Sequence, residues 1–463
     1  MIRVFGHYFS RAVLGLALLE TIVLLGAIYG AQYLRLSFAG LSDHSLEDPT
    51  IEYLVFIVTI QSVMLVLGLY QRDTCRNLRR TMVTLTAAFA LSALILALIF
   101  FLYPRVAIWR SIFVSGVVLG FSAIVLLRAV FLGILDLDVF KRRLLVLGAG
   151  KLASRILEIQ EAERSRGFHS VVFVRMAQEQ VAVGPDQMRY RDEIGSLRDF
   201  AVSQQIDEIV TAMEERRGSL PVRDLLDCRL AGIRITDYAA FMERETGKVD
   251  LHGFLPSWLI YSEGSTGGQL RLFIKRGIDL LASAVLVTLT MPVTIVAALL
   301  IRLTSPGPVF FRQDRVGQHG RVFRLYKFRS MRTDAEAGGP KWASTNDPRI
   351  TGVGRVIRKL RIDELPQIFN VLKGDMSFVG PRPELPYFVE ELSRELPYFA
   401  ERHTVRPGIT GWAQVNYPYG ASVEDARQKL QYDLYYIKNF SVVLDILILI
   451  KTVRVILFPS GAR

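Results

Sequence analysis

Cysteine and acidic residues are scarce in this chain of 463 residues. Its two cysteines, Cys75 and Cys228, lie far apart in dissimilar surroundings, so neither a structural disulfide nor a zinc site is expected and most of the protein is predicted to face a reducing cytosol. Lys and Arg number 56 against 44 Asp and Glu, which gives a net charge of +12. Because the chain is also 51% apolar, with a mean hydropathy of +0.30, this excess predicts anionic lipid or nucleotide as partners rather than nucleic acid.

Charged residues are almost missing from four apolar runs before residue 135, and each run is close to the ~20 residues that cross a bilayer. The first run follows basic residues, as in a signal peptide, but it is long, carries Glu20 and has no clear small-residue cleavage site, which favours a retained helix. The sequence therefore predicts a four-helix transmembrane bundle over residues 1–135, with spans Ala12–Leu34, Tyr53–Tyr70, Met82–Leu102 and Ser111–Leu127.

The loops between these runs indicate an orientation. Acidic residues follow the first run, arginines follow the second, and Lys141, Arg142 and Arg143 follow the fourth. The positive-inside rule then places both ends of the bundle in the cytoplasm, although Arg105 and Arg110 in the short outer loop oppose it.

Residues 140–261 alternate short apolar strands with amphipathic helical patterns, which predicts a Rossmann-like domain with a parallel sheet. Its first strand runs into Gly148-x-Gly150-x-x-Ala153 and a helix, the context of a dinucleotide fingerprint, so Gly148 and Gly150 are candidate cofactor-binding residues. The acid expected after a following strand is not evident, and a domain that keeps the fold without a cofactor remains the alternative. Further strands are predicted at Val171–Val174, Glu208–Ala212 and Gly232–Thr236, and a Gly/Ser-rich linker at Ser262–Gly268.

The last unit, residues 271–463, begins with an uncharged run from Leu280 to Ile301 that has Pro292 near its middle. A full crossing would put everything after it outside the cell, yet the following residues are basic and suited to cytosolic nucleotides. A re-entrant helix over about 276–302, turning back at Pro292, resolves this conflict, and an ordinary kinked fifth span is the alternative. The tail Phe440–Leu457 is predicted to be an interfacial amphipathic helix, with a core helix as the alternative.

An adjacent carboxylate pair, Asp363-Glu364, precedes a rigid Pro381-Arg382-Pro383 segment. This set suits phosphate chemistry with a divalent cation, because one carboxylate can attack, the other can hold the metal, and arginine can bind phosphate oxygens. A simple N-cap at Asp363 is the alternative, since Pro366 suits the first turn of a helix. Capping would be compatible with catalysis, because a helix dipole holds a carboxylate as an anion.

Six motifs in order resemble the bacterial sugar transferase family, whose members are polyprenyl-phosphate hexose-1-phosphate transferases, also called monotopic phosphoglycosyl transferases. The preceding bundle and nucleotide-binding-like domain look like the large members that start exopolysaccharide or O-antigen synthesis. The resemblance covers about residues 271–463 and rests on Lys275-Arg276-x-x-Asp279, Ser305-Pro306-Gly307-Pro308, Lys327-Phe328-Arg329-Ser330-Met331, Asp363-Glu364-Leu365-Pro366-Gln367, Gly374-Asp375-Met376-Ser377 and Gly380-Pro381-Arg382-Pro383.

The resemblance implies that Asp363 attacks the β-phosphate of a UDP-sugar, releases UMP and carries a phospho-sugar, which a polyprenyl phosphate then accepts. It also implies that Glu364, with Asp363, binds Mg²⁺. The segment Arg406–Asn416 resembles a family segment near the sugar-nucleotide site, although an ordinary turn with a packed Trp412 is the alternative. Tyr432–Tyr436 is expected to be structural, with its aromatic rings at the membrane interface. The implied phosphate-binding residues are Lys327, Arg329, Arg382, Arg315 and Arg406.

The expected partners are thus a UDP-sugar, a polyprenyl phosphate and membrane lipids, in a multi-pass protein of the bacterial inner membrane with its catalytic domain on the cytoplasmic face. A homodimer through the bundle or the central domain is compatible with the sequence, but no motif indicates it. Two other classes compete. A membrane-anchored nucleotide-sugar dehydratase or epimerase would need a Tyr-x-x-x-Lys pair, which residues 144–250 lack, and a non-catalytic nucleotide-sensing scaffold would be inert.

Overall fold

The computed structural model divides into two compact units, one of residues up to Val139 together with the end of the last helix from Leu449, the other of Phe140–Ile448. The predicted acidic loop after the first span, the basic loop at 71–77 and the linker Ser262–Gly268 lie outside the described residues, as does Cys75. The structure describes residues 2–4, 7–9, 11–39, 50–70, 78–134, 142–162, 168–176, 180–215, 219–251, 269–333, 335, 347–418, 420 and 422–457.

The first unit is a bundle of apolar helices that share one buried core, to which each helix contributes leucine, isoleucine or phenylalanine. The prediction of apolar helices here is confirmed. Three of the four are long and apolar enough to cross a membrane, whereas the second is a shorter apolar helix. A two-stranded antiparallel ribbon of β1 (Ile2–Val4) and β2 (His7–Phe9) precedes them. The helices are α1 (Arg11–Ala39), α2 (Thr50–Val66), α3 (Leu78–Leu102) and α4 (Arg110–Ile134).

A buried ion pair links α1 and α4 of the bundle. Arg128 Nε lies 2.6 Å from Glu20 Oε1, and its Nη1 donates to the carbonyl oxygen of Leu69 at 3.0 Å. Both side chains are at most 3% exposed. A charge at this depth is expensive unless it is paired. Glu20, the residue that argued against a signal peptide, is therefore explained by a partner on α4.

The second unit begins with an α/β domain whose five strands are all parallel, in the order β5-β4-β3-β6-β7. Apolar side chains fill the core on both faces of this sheet, as expected for strands covered by helices. The predicted parallel α/β fold is confirmed, although the sequence did not indicate β5. The strands are β3 (Arg142–Leu147), β4 (Phe168–Arg175), β5 (Met188–Tyr190), β6 (Glu208–Thr211) and β7 (Arg234–Asp237), and the helices are α5 (Lys151–Ala162), α6 (Leu197–Ser203), α7 (Val222–Leu230) and α8 (Tyr238–Thr246).

The rest of this unit carries the site motifs. It opens with the apolar helix α9 (Gln269–Thr304), which contains Pro292 and is the fourth helix long enough to cross a membrane. Two strands, β8 (Phe310–Val316) and β9 (Val322–Phe328), form an antiparallel hairpin, and β10 (Ser377–Val379) pairs in parallel with β11 (Gly408–Thr410). The remaining helices are α10 (Gly352–Lys359), α11 (Ile368–Lys373), α12 (Pro386–Glu395), α13 (Trp412–Asn416), α14 (Val423–Lys438) and α15 (Val442–Leu457).

The last helix of the α/β domain is hydrogen bonded to residues at the end of α14. The Glu243 carboxylate on α8 accepts from Lys438 Nζ at 2.5 Å and from Asn439 Nδ2 at 2.7 Å. Just after α8, the carbonyl oxygen of Gly247 accepts from Trp412 Nε1 at 2.7 Å. Trp412 is 4% exposed and stacks on Tyr435. The packed role that the sequence left open for Trp412 is therefore the one observed.

One prediction about the end of the chain is wrong, and another stays a prediction. The location of the tail at the membrane interface stays a prediction: on α15, Leu444 and Ile448 are fully buried, whereas Ile446 and Val453 are 48% and 45% exposed. Asp445 pairs with Lys275 at 2.6 Å. Tyr435 and Tyr436 were expected at an interfacial belt, yet each is 1% exposed. The Tyr436 hydroxyl bonds Asp445 at 2.8 Å, so a polar group that suits an interface finds its partner inside the protein.

Candidate active site

The Asp363-Glu364 pair lies in a tight turn between two helices. Helix α10 ends at Lys359, and Arg361 takes a left-handed conformation with φ of 58°. A short 3₁₀ helix, Ile362–Gln367, then carries both carboxylates into α11. The alternative of an N-cap at Asp363 is not observed, because Arg361 occupies the cap position and Asp363 lies inside the first turn.

The Pro381-Arg382-Pro383 segment, called here the PRP loop, follows β10. Its backbone packs directly against the backbone of β11. Gly380 N donates to the Thr410 carbonyl, and Gly408 N donates to the Pro381 carbonyl, both at 2.9 Å. A Cβ on Gly408 would lie 2.1 Å from Gly380 N. Glycine is therefore required where these backbones meet.

Strand β9 brings Lys327 to the same place. The Asn370 side chain, which is fully buried on α11, accepts from Tyr326 N at 3.1 Å and donates to the Arg324 carbonyl at 2.7 Å. The amide thus pairs with β9 much as a neighbouring strand would, and fixes the backbone beside Lys327. Asn370 follows Gln367 by three residues, and nothing in the sequence pattern separated it from other polar residues on helices.

Three cations converge on one oxygen of Glu364. Oε1 is 3.1 Å from Arg382 Nη2, and 3.6 Å from both Lys327 Nζ and Arg361 Nη1. Asp363, 8% exposed, is the neighbour of this carboxylate in the same turn. The structure therefore brings together four of the predicted or implied groups, Asp363, Glu364, Lys327 and Arg382, and adds Arg361.

The surroundings move the pKa values of the two carboxylates in opposite directions. Burial, and then the charge of Glu364, raise the pKa of Asp363 above its usual range. Burial also works to raise the pKa of Glu364, but Arg382, Lys327 and Arg361 outweigh it and lower this pKa to about 2. Burial lowers the pKa of Lys327 despite the opposing charge of Glu364. The raised pKa of Asp363 is opposite in direction to the effect expected of a helix dipole. Adjacent carboxyls with separated pKa values are typical of reactive sites.

Arg315, Arg329 and Arg406 do not reach Glu364. Arg315 donates to the Pro383 carbonyl at 3.0 Å and lies 3.6 Å from Glu384. Arg329 is 5% exposed and donates to main-chain and side-chain oxygens of Ser305 and to the Pro306 carbonyl. The side chain of Arg406 is partly exposed in the turn before β11. Their predicted contact with phosphate remains a prediction.

The glycine turn of the α/β domain is bonded to other parts of the protein. Gly148 has a φ of +123° and donates to the Val174 carbonyl, while the Ala149 carbonyl accepts from Ala182 N. Glu214 Oε1 accepts from Lys151 N at 2.9 Å, at the helix N-terminus where a phosphate would bind in a dinucleotide site. Cofactor binding by Gly148 and Gly150 stays a prediction, and a phosphate here would compete with a carboxylate.

The donor set near Asp363 fits a weakly coordinated Mg²⁺. Mg²⁺ typically takes one or two protein carboxylates and completes its shell with waters and substrate phosphate oxygens. The three cations all approach Oε1 of Glu364, so Oε2 and the Asp363 carboxylate are the oxygens that suit a metal. In the described part of the chain, no larger group of His, Cys, Asp or Glu could hold one.

Two further charged residues hold the main chain of the PRP loop in place, and sequence reasoning missed both. Arg402 Nη2 donates to the Arg382 carbonyl at 2.9 Å and to Asp433 Oδ2 at 2.8 Å. Arg402 lies in the 3₁₀ helix Phe399–Thr404 and Asp433 on α14. Asp433 was noted only as part of an aromatic run, and a carboxylate within that run was the available signal.

Comparisons with known proteins match two regions of the chain. The family model described as Bacterial sugar transferase matches residues 270–459, and a CoA-binding domain model matches residues 66–220. An undecaprenyl-phosphate N-acetylgalactosaminephosphotransferase of Aeromonas hydrophila is 50% identical over 242 residues, 52% of this chain and 56% of that protein. An undecaprenyl-phosphate glucose phosphotransferase of Komagataeibacter xylinus is 34% identical, over 67% of this chain and 60% of that protein.

A third relative is shorter. The uncharacterized sugar transferase EpsL of Bacillus subtilis is 43% identical over 196 residues, which are 42% of this chain but 91% of that protein. The chain spans between half and two thirds of the length of the Aeromonas and Komagataeibacter proteins. With the family model matched across the carboxylate pair and the PRP loop, the chain belongs to the bacterial sugar transferase family.

Proposed function

We propose that this protein is a membrane enzyme that transfers a sugar 1-phosphate from a UDP-sugar to a polyprenyl phosphate and releases UMP, as the first step of exopolysaccharide or O-antigen synthesis. The observation that carries the proposal is the carboxylate pair with separated pKa values beside Lys327 and Arg382. Relatives named as undecaprenyl-phosphate sugar phosphotransferases support the same reaction class.

Asp363 is the nucleophile in this proposal. Its raised pKa makes it the more basic carboxylate of the pair, and a more basic oxygen is the better nucleophile once ionised. Its Oδ attacks the β-phosphorus of the UDP-sugar, the bond from that phosphorus to the bridging oxygen breaks, and UMP leaves with the bridging oxygen. A phosphate oxygen of the polyprenyl phosphate then attacks the same phosphorus, and the Asp363 carboxylate is regenerated.

The neighbouring cations stabilise the charge that develops during both steps. Arg382 and Lys327 are held next to Glu364 before substrate arrives, so they need little reorganisation. Mg²⁺, when bound by Glu364 and Asp363, would neutralise charge on the departing UMP. The covalent intermediate means that the soluble donor and the lipid acceptor never need to meet.

Re-entry of α9 is part of the proposal, together with the inner-membrane location and the cytoplasmic catalytic face. Near one end of α9, Arg276 donates to the carbonyls of Val371 and Leu372, and near the other, Ala297 and Ile301 pack against Phe328 and Ile357. Both ends therefore contact one compact domain, whereas a helix that crossed the bilayer would carry its ends to opposite sides. Its 36 residues would span about 54 Å if straight, well beyond a bilayer core of ~30 Å.

The direct test is UMP release from a panel of UDP-sugars by the purified full chain with undecaprenyl phosphate and Mg²⁺. The proposal expects continued release with one sugar, lost on chelation. Without the lipid, release should stop after the first step, when Asp363 carries the phospho-sugar. A folded protein that releases no UMP from any sugar in the panel would contradict the proposal. Bound NAD in the purified protein would instead favour a dehydratase or epimerase.

Glu364→Gln is expected to lower the rate about 10- to 100-fold and to weaken its dependence on Mg²⁺, because the amide keeps the shape but loses the anionic ligand. The measurement is UMP release across a Mg²⁺ titration. A neutral change on the exposed face of α12, Glu391→Gln, should leave the titration unaltered. A Glu364→Gln protein with the wild-type Mg²⁺ dependence would remove this residue as a metal ligand.

A further inference from the structure

The direction of the Arg382 side chain depends on how the PRP loop is held. Proline rings fix φ at residues 381 and 383, and a residue before proline is restricted to extended conformations. The freedom that remains is mainly the orientation of the peptide planes. That orientation is set by the partners of four successive carbonyls, those of Pro381, Arg382, Pro383 and Glu384.

Backbone groups hold the two outer carbonyls, and arginine side chains hold the two inner ones. Gly408 N bonds the Pro381 carbonyl and Val316 N bonds that of Glu384. Arg315 bonds the Pro383 carbonyl at 3.0 Å, and Arg402 bonds the Arg382 carbonyl at 2.9 Å. The residue that reaches Glu364 is therefore oriented by the guanidinium of Arg402.

Asp433 and Phe399 hold the side chain of Arg402 in place. Asp433 bonds the same Nη2 that holds the Arg382 carbonyl, and the two side chains are 6% and 2% exposed. The Arg402 guanidinium also lies 5.0 Å from the ring centre of Phe399. A buried charge-assisted bond of this kind fixes a guanidinium in one position. Arg402 bonds the main-chain carbonyl of Arg382, so the ion pair acts through the main chain of the PRP loop.

We infer that Asp433 and Arg402 are positioning residues for the transfer reaction: their buried ion pair fixes the Arg382 carbonyl and thereby aims the Arg382 guanidinium at Glu364. The inference rests on the proposed function for its kinetic consequence, but the geometric part stands without it. A displacement of about 1 Å in a group that aligns phosphate is enough to lower a rate by about 10²-fold.

The ion pair between Arg402 and Asp433 is expected to depend on pH, because it needs the ionised form of Asp433. Burial, opposed by Arg402, is the main cause that raises the pKa of Asp433. Glu384 also raises this pKa and Lys429 lowers it, and the net value is about 6. The ionised form makes the ion pair, which is thus complete above pH about 6 and lost as pH falls through that value. Activity should therefore include an acid limb with a midpoint near 6 that depends on Asp433.

The first experiment measures geometry and needs no turnover. Arginine modification by phenylglyoxal, read by mass spectrometry of peptides from the full chain, reports the freedom of each guanidinium. In Asp433→Asn, the rate at Arg382 should rise several-fold, while the rate at Arg361, which is 54% exposed, should stay the same. An unchanged rate at Arg382 would overturn the positioning role, whatever the enzyme's reaction proves to be.

The second experiment measures kinetics. Asp433→Asn should lower kcat for UMP release about 10²-fold, change the KM for the donor much less, and remove the acid limb. Glu424→Gln, an exposed change on the same helix, should match wild type in both assays. A lower melting temperature with unchanged kcat and pH profile would show a purely structural pair and overturn the inference. If wild type itself releases no UMP, the proposed function fails, and the phenylglyoxal result still decides the geometry.

Discussion

Replacing Asp363 by asparagine is expected to abolish UMP release, by at least about 10³-fold, and to leave the protein as stable as wild type or more so. The amide is the same size but cannot form the bond to phosphorus. The folded protein raises the pKa of Asp363, so at neutral pH the fold works against its ionised form. A neutral amide removes that cost, which is the pattern expected where function opposes stability.

The measurement combines UMP release with thermal melting of the purified full chain. Glu390→Gln, an exposed change on α12, provides the control and should alter neither quantity. Normal turnover by Asp363→Asn would exclude the covalent mechanism. A marked fall in melting temperature would mean that the carboxylate stabilises the fold, which is opposite to the direction of its pKa.

Gly408→Ala is expected to inactivate the enzyme by disturbing the PRP loop. The added Cβ would lie 2.1 Å from Gly380 N, 2.4 Å from the Thr410 carbonyl oxygen and 2.6 Å from the Gly380 carbonyl oxygen. All three are main-chain atoms, so no side chain can rotate away to make room. The strands β10 and β11 would have to separate, which breaks bonds that hold the loop and costs several kcal/mol.

The matched control is Gly352→Ala at the start of α10, where a Cβ meets nothing within 4 Å. That change should be neutral or slightly stabilising, because alanine favours a helix and restricts the unfolded chain. The test is the yield of folded protein, the melting temperature and UMP release for both variants. Wild-type activity in Gly408→Ala would mean that the close contact of the two backbones is not needed to place Arg382.

Periodicity in the sequence was sufficient to predict most of the fold. Uncharged runs predicted the bundle helices, and apolar runs between helical patterns predicted four of the five parallel strands of the α/β domain. The short strand Met188–Tyr190 escaped because its three residues include Arg189 and are partly or largely exposed, so they carry no apolar signal. Tyr435 and Tyr436 were misplaced because folding buries both, with Asp445 as the partner of the Tyr436 hydroxyl.

Sequence motifs predicted only some residues of the candidate active site. Motifs identified Asp363, Glu364, Lys327 and Arg382, which the fold brings together. They could not distinguish arginines that approach a carboxylate from arginines that bond main-chain carbonyls, since both have the same chemistry in a sequence. Asn370, Arg402 and Asp433 were missed because their partners are carbonyls, amides and charges brought close only by folding.

Arginines that bond main-chain carbonyls have a consequence for how the protein would attract the anionic substrates of the proposed reaction. Arg329 and Arg276 are fixed by neutral main-chain oxygens, so each is immobile yet retains its full charge. A mobile surface arginine loses rotamer freedom when an anion arrives, at about 0.5 to 1.5 kcal/mol per side chain. These residues lost that freedom during folding. They therefore present a standing positive potential whose range is the screening length of the solution, about 8 Å at physiological ionic strength.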